Sequence, residues 1–192
     1  MNILLLGPQG SGKGTQAKRI SADYGIPHVA TGDMFRSAVA AQTELGRKVA
    51  PILEAGELVP DDLTVALIRE RLGEAVARGG FILDGFPRTL AQAEALDELL
   101  ADIGRPLSIV FEFQIPDELC IERLLKRAQA EGRVDDSPDV IARRLEIYHR
   151  DTEPLVEHYL ATGNLVGVHA DRAVDEVHAE IQQALEQAAV RA

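Results

Sequence analysis

Short apolar runs alternate along the chain with longer stretches in which apolar and charged residues mix. Five apolar runs predict strands, at residues 2–6, 26–29, 81–83, 107–113 and 165–168. Six longer stretches predict helices, at residues 15–24, 61–78, 89–103, 116–130, 138–162 and 174–190. Strands that alternate with helices are typical of a parallel sheet covered by helices on both faces. The pattern therefore predicts an α/β fold with a five-stranded parallel sheet.

Residues 31–60 interrupt this alternation. They contain no convincing strand, and three glycines together with Pro60 divide them into short helical segments. We expect a small helical insertion between the second and third strands. A second irregular stretch, at residues 131–138, predicts a polar loop between two helices.

A glycine-rich segment, Gly7–Thr15 (GPQGSGKGT), directly follows the first predicted strand. It fits the phosphate-loop pattern G-x-x-x-x-G-K, with the hydroxyl residue one position late because Gly14 takes the usual Ser/Thr place. Backbone N–H groups of such a loop cradle phosphate oxygens, and the following helix adds its positive N-terminal end. Lys13 would reach the β- and γ-phosphates. The alternative is a glycine-rich turn before a helix.

The segment Leu83–Thr89 (LDGFPRT) ends the third predicted strand. Ligands of open α/β sheets bind outside the carboxyl ends of the strands, so we expect Asp84 and Arg88 to face the phosphate loop. Asp84 could hold magnesium through water, and Arg88 could bind phosphate. The alternative is that Asp84 only caps the next helix.

Charge and composition narrow the possible ligands. The net charge of −11 argues against general nucleic-acid binding, although a local basic cluster could still bind a small anion. Arginine supplies 16 of the 20 basic residues, which suits bidentate binding of phosphate but also fits a high-GC genome. Six arginines on separate segments are candidates: Arg36, Arg88, Arg123, Arg127, Arg133 and Arg144. For Arg123 and Arg127, four residues apart on one helix face, the alternative is a solvated basic face.

Other features exclude whole classes of protein. The single cysteine, Cys120, excludes a disulfide framework and a cysteine-based zinc site, and its apolar neighbours favour a buried structural role. The apolar runs are far shorter than the roughly 18 residues of a membrane helix, and the N-terminus shows no signal peptide. We therefore expect a cytoplasmic protein.

Seven segments together resemble one known family. They are GPQGSGKGTQ (7–16), TGDMFR (31–36), GELVPD (56–61), DGFPRT (84–89), RLLKR (123–127), GRVDD (132–136) and RRLEIY (143–148). The chain resembles the short-lid adenylate kinases, among the nucleoside monophosphate kinases, from Ile3 to the last helix. The resemblance implies a P-loop NTPase three-layer sandwich. It also implies a core domain (residues 1–29, 61–127 and 137–192), an NMP-binding domain (30–60) and a lid (128–136) too short to carry zinc.

The resemblance further implies an activity and its partners. These are reversible, Mg²⁺-dependent phosphoryl transfer from ATP to AMP, giving two ADP, by a monomer that binds neither nucleic acid nor membrane. ATP would be bound by Gly10, Ser11, Gly12, Lys13, Gly14, Thr15, Arg123, Arg127 and Arg172. AMP would be bound by Thr31, Arg36, Glu57, Leu58, Val59, Gly85, Phe86, Arg88, Gln92, Arg133 and Arg144. The catalytic residues would be Lys13, Arg88, Arg123, Arg133 and Arg144, with Asp84 orienting water on Mg²⁺.

The remaining alternatives concern the acceptor and the class of protein. Thr31 and Gln92 match the family pattern for adenine, and UMP/CMP kinase is the second candidate. A P-loop switch protein should carry N-K-x-D for guanine, which the sequence lacks; a P-loop protein that binds nucleotide without transfer is the other alternative. Two departures from the family pattern are Gln9, expected on the solvent side of the loop, and Ala170, beside the expected donor base. The five histidines lie outside the motifs and are expected to be structural or on the surface.

Overall fold

A computed structural model describes residues 1–73, 79–131 and 136–191. Its five strands are β1 (Asn2–Leu6), β2 (His28–Ala30), β3 (Phe81–Asp84), β4 (Ile109–Gln114) and β5 (Leu165–His169). They form one parallel sheet in the order β2-β3-β1-β4-β5. This confirms the predicted α/β class and strand number. The second strand begins two residues later than predicted.

Helices connect these strands and follow the last one. They are α1 (Lys13–Tyr24), α2 (Thr31–Ala40), α3 (Glu44–Glu54), α4 (Asp61–Gly73), α5 (Leu90–Asp102), α6 (Asp117–Glu131), α7 (Pro138–Ile147), α8 (Leu155–Leu160) and α9 (Val174–Arg191). The single helix predicted over 138–162 is wrong, because a π-helical turn (Tyr148–Thr152) separates α7 from α8. Pro154 precedes α8, and proline cannot donate the backbone hydrogen bond that would continue a helix. The last part of the helix predicted over 61–78 lies outside the described residues.

The sheet is buried on both faces, which explains the continuous apolar run of β1. Leu4 and Leu6 pack into one core with residues of α4, α5 and α8. Ile3 and Leu5 point to the opposite face and pack with residues of α1 and α9. All the residues of β1 are buried, as expected for a central strand between two helical layers.

Helices α2 and α3 form the predicted insertion after β2, and this insertion has an apolar cluster of its own. Phe35, Val49 and Val59 are buried at its centre. Leu63 and Leu67 of α4 pack against the same cluster, so the insertion rests on the first turns of α4.

Candidate active site

The phosphate loop connects the carboxyl end of β1 to α1, as predicted. Gly10 and Gly12 have backbone φ angles of +85° and +97°, which residues with a Cβ rarely adopt. A Cβ on Gly10 would lie 2.7 Å from the carbonyl oxygen of Cys120, so the loop also packs tightly against α6. The sequence therefore needs glycine here both for the turn and for the close approach of α6.

Lys13, the first residue of α1, points back along this loop. Its Nζ donates hydrogen bonds to the carbonyl oxygens of Gly7 (2.6 Å) and Pro8 (2.7 Å). Burial lowers the pKa of Lys13 from 10.5 to about 8, although the negative charge of Asp84 opposes this change. The loop thus carries a partly buried cation beside its backbone N–H groups, which suits an anionic ligand.

Asp84 ends β3 beside the phosphate loop, where the sequence predicted it. A Cβ on Gly14 would lie 3.4 Å from its Oδ2, and the same oxygen lies 3.2 Å from Nε2 of His28. Burial would raise the pKa of Asp84, but the hydrogen bond from His28 and the charge of Lys13 lower it below its ordinary value. Asp84 is therefore ionised, and it does not cap the following helix, since Thr89 caps α5 by accepting from the N–H of Gln92.

Arg88 lies opposite the phosphate loop and is held by its own turn. Its Nε donates to the carbonyl oxygen of Gly85 at 2.8 Å. Burial and the charge of Arg144 lower the pKa of Arg88 to about 10, while Asp84 opposes the change. Two guanidinium groups close enough to depress a pKa repel each other, so an anion between them would be bound strongly.

Three further arginines line the site, and two of them share one carboxylate. Arg123 donates to the carbonyl oxygen of Ala170 at 3.0 Å. Arg127 of α6 and Arg144 of α7 bind different oxygens of Asp136, at 2.7 and 2.9 Å. The Asp136 side chain is fully buried, so both arginines take their positions from one fixed group.

These groups surround a single cleft of about 510 Å³ at the carboxyl ends of the strands. It is lined by the predicted residues Gly10, Ser11, Gly12, Lys13, Gly14, Thr15, Thr31, Arg36, Glu57, Leu58, Val59, Asp84, Gly85, Arg88, Gln92, Arg123, Arg127, Arg144 and Arg172. Two predicted residues are not among them. The ring of Phe86 is 1% exposed and packs in the core, and Arg133 lies outside the described residues.

Four residues at the site were missed or misjudged from the sequence. His28, expected to be structural or on the surface, lines the cleft and contacts Asp84. Gln9, expected on the solvent side, lines the cleft with its amide oxygen buried and without a hydrogen-bond partner in the described structure. Asp136 and Asp61 had no assigned role; Asp61 accepts from Nε2 of Gln92 at 2.6 Å. Asp61 and Asp136 both lie in segments that resemble the family (56–61 and 132–136), and this position was the only sequence feature that could have pointed to them.

The described residues contain neither a preformed metal site nor a membrane-spanning helix. In residues 1–73, 79–131 and 136–191, no group of three or more His, Cys, Asp or Glu side chains is arranged to hold a metal ion. Within the same part of the chain, no helix combines the length and the apolar character needed to span a membrane. A metal ion at Asp84 would thus draw most of its ligands from water and from a bound ligand.

Comparisons with known proteins agree on one family. The family model described as adenylate kinase matches residues 5–164. An adenylate kinase of Maricaulis maris is 52% identical over 187 residues, which cover 97% of this chain and 100% of the relative. Adenylate kinases of Stenotrophomonas maltophilia and Micrococcus luteus are 45% and 46% identical, covering 96% and 95% of this chain and 99% and 89% of the relatives.

Proposed function

The chain belongs to the adenylate kinase family of nucleoside monophosphate kinases, and on that premise we propose how its residues transfer a phosphoryl group reversibly from ATP to AMP, giving two ADP. The observation that carries the proposal is the single cleft, in which the phosphate loop faces Arg88 and Arg144. Phosphoryl transfer requires the two nucleotides to be aligned and their negative charge neutralised, with little covalent chemistry from the protein.

The donor side is built from β1, α1 and α6. The loop from Gly10 to Thr15 binds the ATP phosphates through backbone N–H groups and the N-terminal end of α1. Lys13 begins α1 and donates to the loop carbonyl oxygens of Gly7 and Pro8, and it would exchange these bonds for bonds to the terminal phosphates when ATP binds. Arg123 and Arg127 approach from α6, and Arg172 borders the expected position of the donor base.

The acceptor side is built from the insertion and the turn after β3. Thr31 Oγ1 donates to the carbonyl oxygen of Gly85 at 2.8 Å, which joins the start of the insertion to that turn. Gln92 accepts from the backbone N–H of Arg88 and donates to Asp61, so its amide orientation is fixed. An amide has two N–H donors and two lone pairs, so Gln92 retains one of each, which suits the edge of adenine.

Charge neutralisation favours transfer over simple binding. ATP brings roughly four negative charges and AMP about two, so their approach needs several fixed cations. Lys13, Arg88 and Arg144 surround the place where the two phosphate groups would meet. Arg88 and Arg144 repel each other, and their repulsion is relieved best by the charge that develops during transfer. We place Arg133 in the same role by resemblance alone.

The residues present fit magnesium that arrives with ATP. Asp84 offers one ionised carboxylate next to the phosphate loop, which matches a cation held mainly by water and phosphate oxygens. When bound, Mg²⁺ neutralises charge on the β- and γ-phosphates. Asp84 would orient the water shell of the Mg²⁺, and His28 holds the Asp84 carboxylate through its Nε2 contact at 3.2 Å. We further propose a cytoplasmic monomer in which residues 30–60 act as the NMP-binding domain and 128–136 as the lid.

The test is a magnesium-dependent transfer assay with ATP as donor and AMP, CMP, UMP or GMP as competing acceptors. We expect ADP to form from AMP in strong preference, and activity to disappear when EDTA removes the metal. A preference for CMP or UMP would keep the reaction but contradict the roles of Thr31 and Gln92. Tight ATP binding without transfer to any acceptor would contradict the proposed activity.

A further inference from the structure

Helices α1 and α9 are joined by a hydrogen-bonded network next to the donor side of the cleft. His178 of α9 lies between two residues of α1: its Nδ1 is 2.9 Å from Oε1 of Gln16, and its Nε2 is 2.8 Å from Oδ2 of Asp23. The His178 side chain is 12% exposed, and Gln16 is 2% exposed. No motif of the sequence pointed to this network.

The orientation of Gln16 decides what His178 must donate. Gln16 Nε2 donates to the carbonyl oxygen of Val174 at 2.9 Å, so its Oε1 faces the imidazole as an acceptor. The carboxylate of Asp23 is an acceptor as well. Both imidazole nitrogens therefore have to donate, and only the doubly protonated ring does so.

A neutral ring would lose one of these bonds. If Nε2 donates to Asp23, the lone pair on Nδ1 faces Oε1 of Gln16. Rotating the amide by 180° would satisfy Nδ1, but it would place Oε1 against the carbonyl oxygen of Val174. Either arrangement removes a hydrogen bond that fixes Gln16. In the other neutral tautomer Nδ1 donates to Gln16, and the bond from Nε2 to Asp23 is lost instead.

The charged groups around His178 come from both helices. Asp23 and Arg19 lie on α1, and Gln182 of α9 also donates to Asp23, at 3.2 Å. Arg19 pairs with Asp175 at 2.5 Å in the first turn of α9 and donates to the carbonyl oxygen of Val174 at 3.3 Å. Among the described residues, Asp23 is the carboxylate that faces the imidazole.

Gln16 and Val174 are also walls of the cleft. Gln16 follows Thr15 of the phosphate loop, and Gln16, Val174 and Val177 line the cleft near Arg172. We propose that protonated His178 is a positioning residue that holds Gln16 and Val174, and through them the donor-nucleotide wall, in the shape that binds ATP. The inference rests on the proposed function, and its effect falls on ATP and not on AMP.

Two substitutions separate the two hydrogen bonds. In His178→Asn the amide nitrogen replaces Nδ1, so the variant keeps the bond to Gln16 at all pH values. In His178→Gln the amide nitrogen replaces Nε2, so the variant keeps the bond to Asp23 and loses the one to Gln16. The matched control is His158→Gln, because His158 also pairs with a carboxylate, Asp97, but does not line the cleft.

The experiment measures KM for ATP and for AMP at pH 5.5, where an unperturbed imidazole is protonated. Comparing each variant with the unmodified protein at the same pH cancels the ionisation of ATP itself. At pH 5.5 we expect His178→Gln to raise KM for ATP about three- to tenfold, the effect of one lost hydrogen bond. His178→Asn and His158→Gln should match the unmodified protein there, and KM for AMP should stay constant in all variants.

Other outcomes would overturn the inference. One is an unchanged KM for ATP in His178→Gln. The other is a rise of the KM values for ATP and AMP together in this variant, which would indicate that His178 only stabilises the fold. If His178→Gln does not fold, His178→Asn still decides. This variant keeps the bond to Gln16, so a KM for ATP raised well above that of the unmodified protein would overturn the inference. Equilibrium binding of ATP to the same proteins tests the inference even if no transfer occurs. Failure of the inference about His178 is therefore distinguishable from failure of the proposed function.

Discussion

Removing the charge of Asp136 tests whether one carboxylate positions both sides of the site. Asp136→Asn keeps the size of the side chain but leaves Arg127 and Arg144 facing a neutral amide. Removing one partner of a buried ion pair costs about 3–5 kcal/mol, and the lower end applies because Arg127 is 31% exposed. A loss of about 3 kcal/mol lowers the melting temperature of a domain of this size by about 6–12 °C.

Activity should fall for a separate reason. A displacement of about 1 Å of a catalytic group can cost on the order of 100-fold in rate, so we expect kcat/KM of Asp136→Asn to fall about 100-fold. The measurements are thermal unfolding and steady-state transfer from ATP to AMP. The matched control is Glu122→Gln, which removes a carboxylate from the exposed Lys126 pair on α6 and should change neither quantity. A melting temperature within 2 °C and a kcat/KM within about twofold of the unmodified protein would refute this reasoning.

Four further outcomes are expected. Arg88→Ala should lose several kcal/mol of transition-state stabilisation while its circular dichroism stays native. The control Arg105→Ala, at the start of β1 where Arg105 contacts Asn2, should keep its activity. Near-normal turnover of Arg88→Ala would contradict the role of Arg88 in transfer. Gly10→Ala should lower the unfolding free energy by about 2–4 kcal/mol in urea titrations, since its positive φ and the carbonyl of Cys120 both oppose a Cβ. As pH rises through about 8, Lys13 loses its charge, so kcat/KM for ATP should decline there. The stability of the fold should change in the opposite direction. The buried charge is costly, so its loss favours the folded state between pH 8 and 10.5. Burial raises the pKa of Cys120 to about 11, so thiol reagents at pH 8 should react only after denaturation.

The sequence predicted best where one local pattern determines the structure. The apolar run of β1 and the glycines after it were sufficient to place the sheet and the phosphate loop, because burial on both faces and positive φ angles leave few alternatives. The break between α7 and α8 was missed because helical periodicity continues across it, and Pro154 was the only local signal.

The side-chain network could be predicted only in part. Arginines that belong to known motifs were identified, but contacts between residues far apart in the sequence, such as Gln16 and His178, were not. His28 was misjudged since its contact with Asp84 depends on the pairing of β2 with β3, which no local pattern reports. Pairings between distant segments come from the topology, and the residue types alone do not specify them.

The insertion has an apolar cluster of its own, and this affects how ionic strength acts on the entry of the acceptor nucleotide. Phe35, Val49 and Val59 stay packed together if the insertion swings away from α7, so such a movement exposes little of the main core. Besides the close packing of Gly56 on Val140, what it must break at α7 is a partly solvated ion pair. Glu57 pairs with Arg143 at 2.8 Å, and the two side chains are 43% and 36% exposed. Ion pairs of this kind weaken as salt is added, whereas apolar packing does not. Ionic strength therefore acts on the entry of the acceptor nucleotide and leaves the fold itself intact.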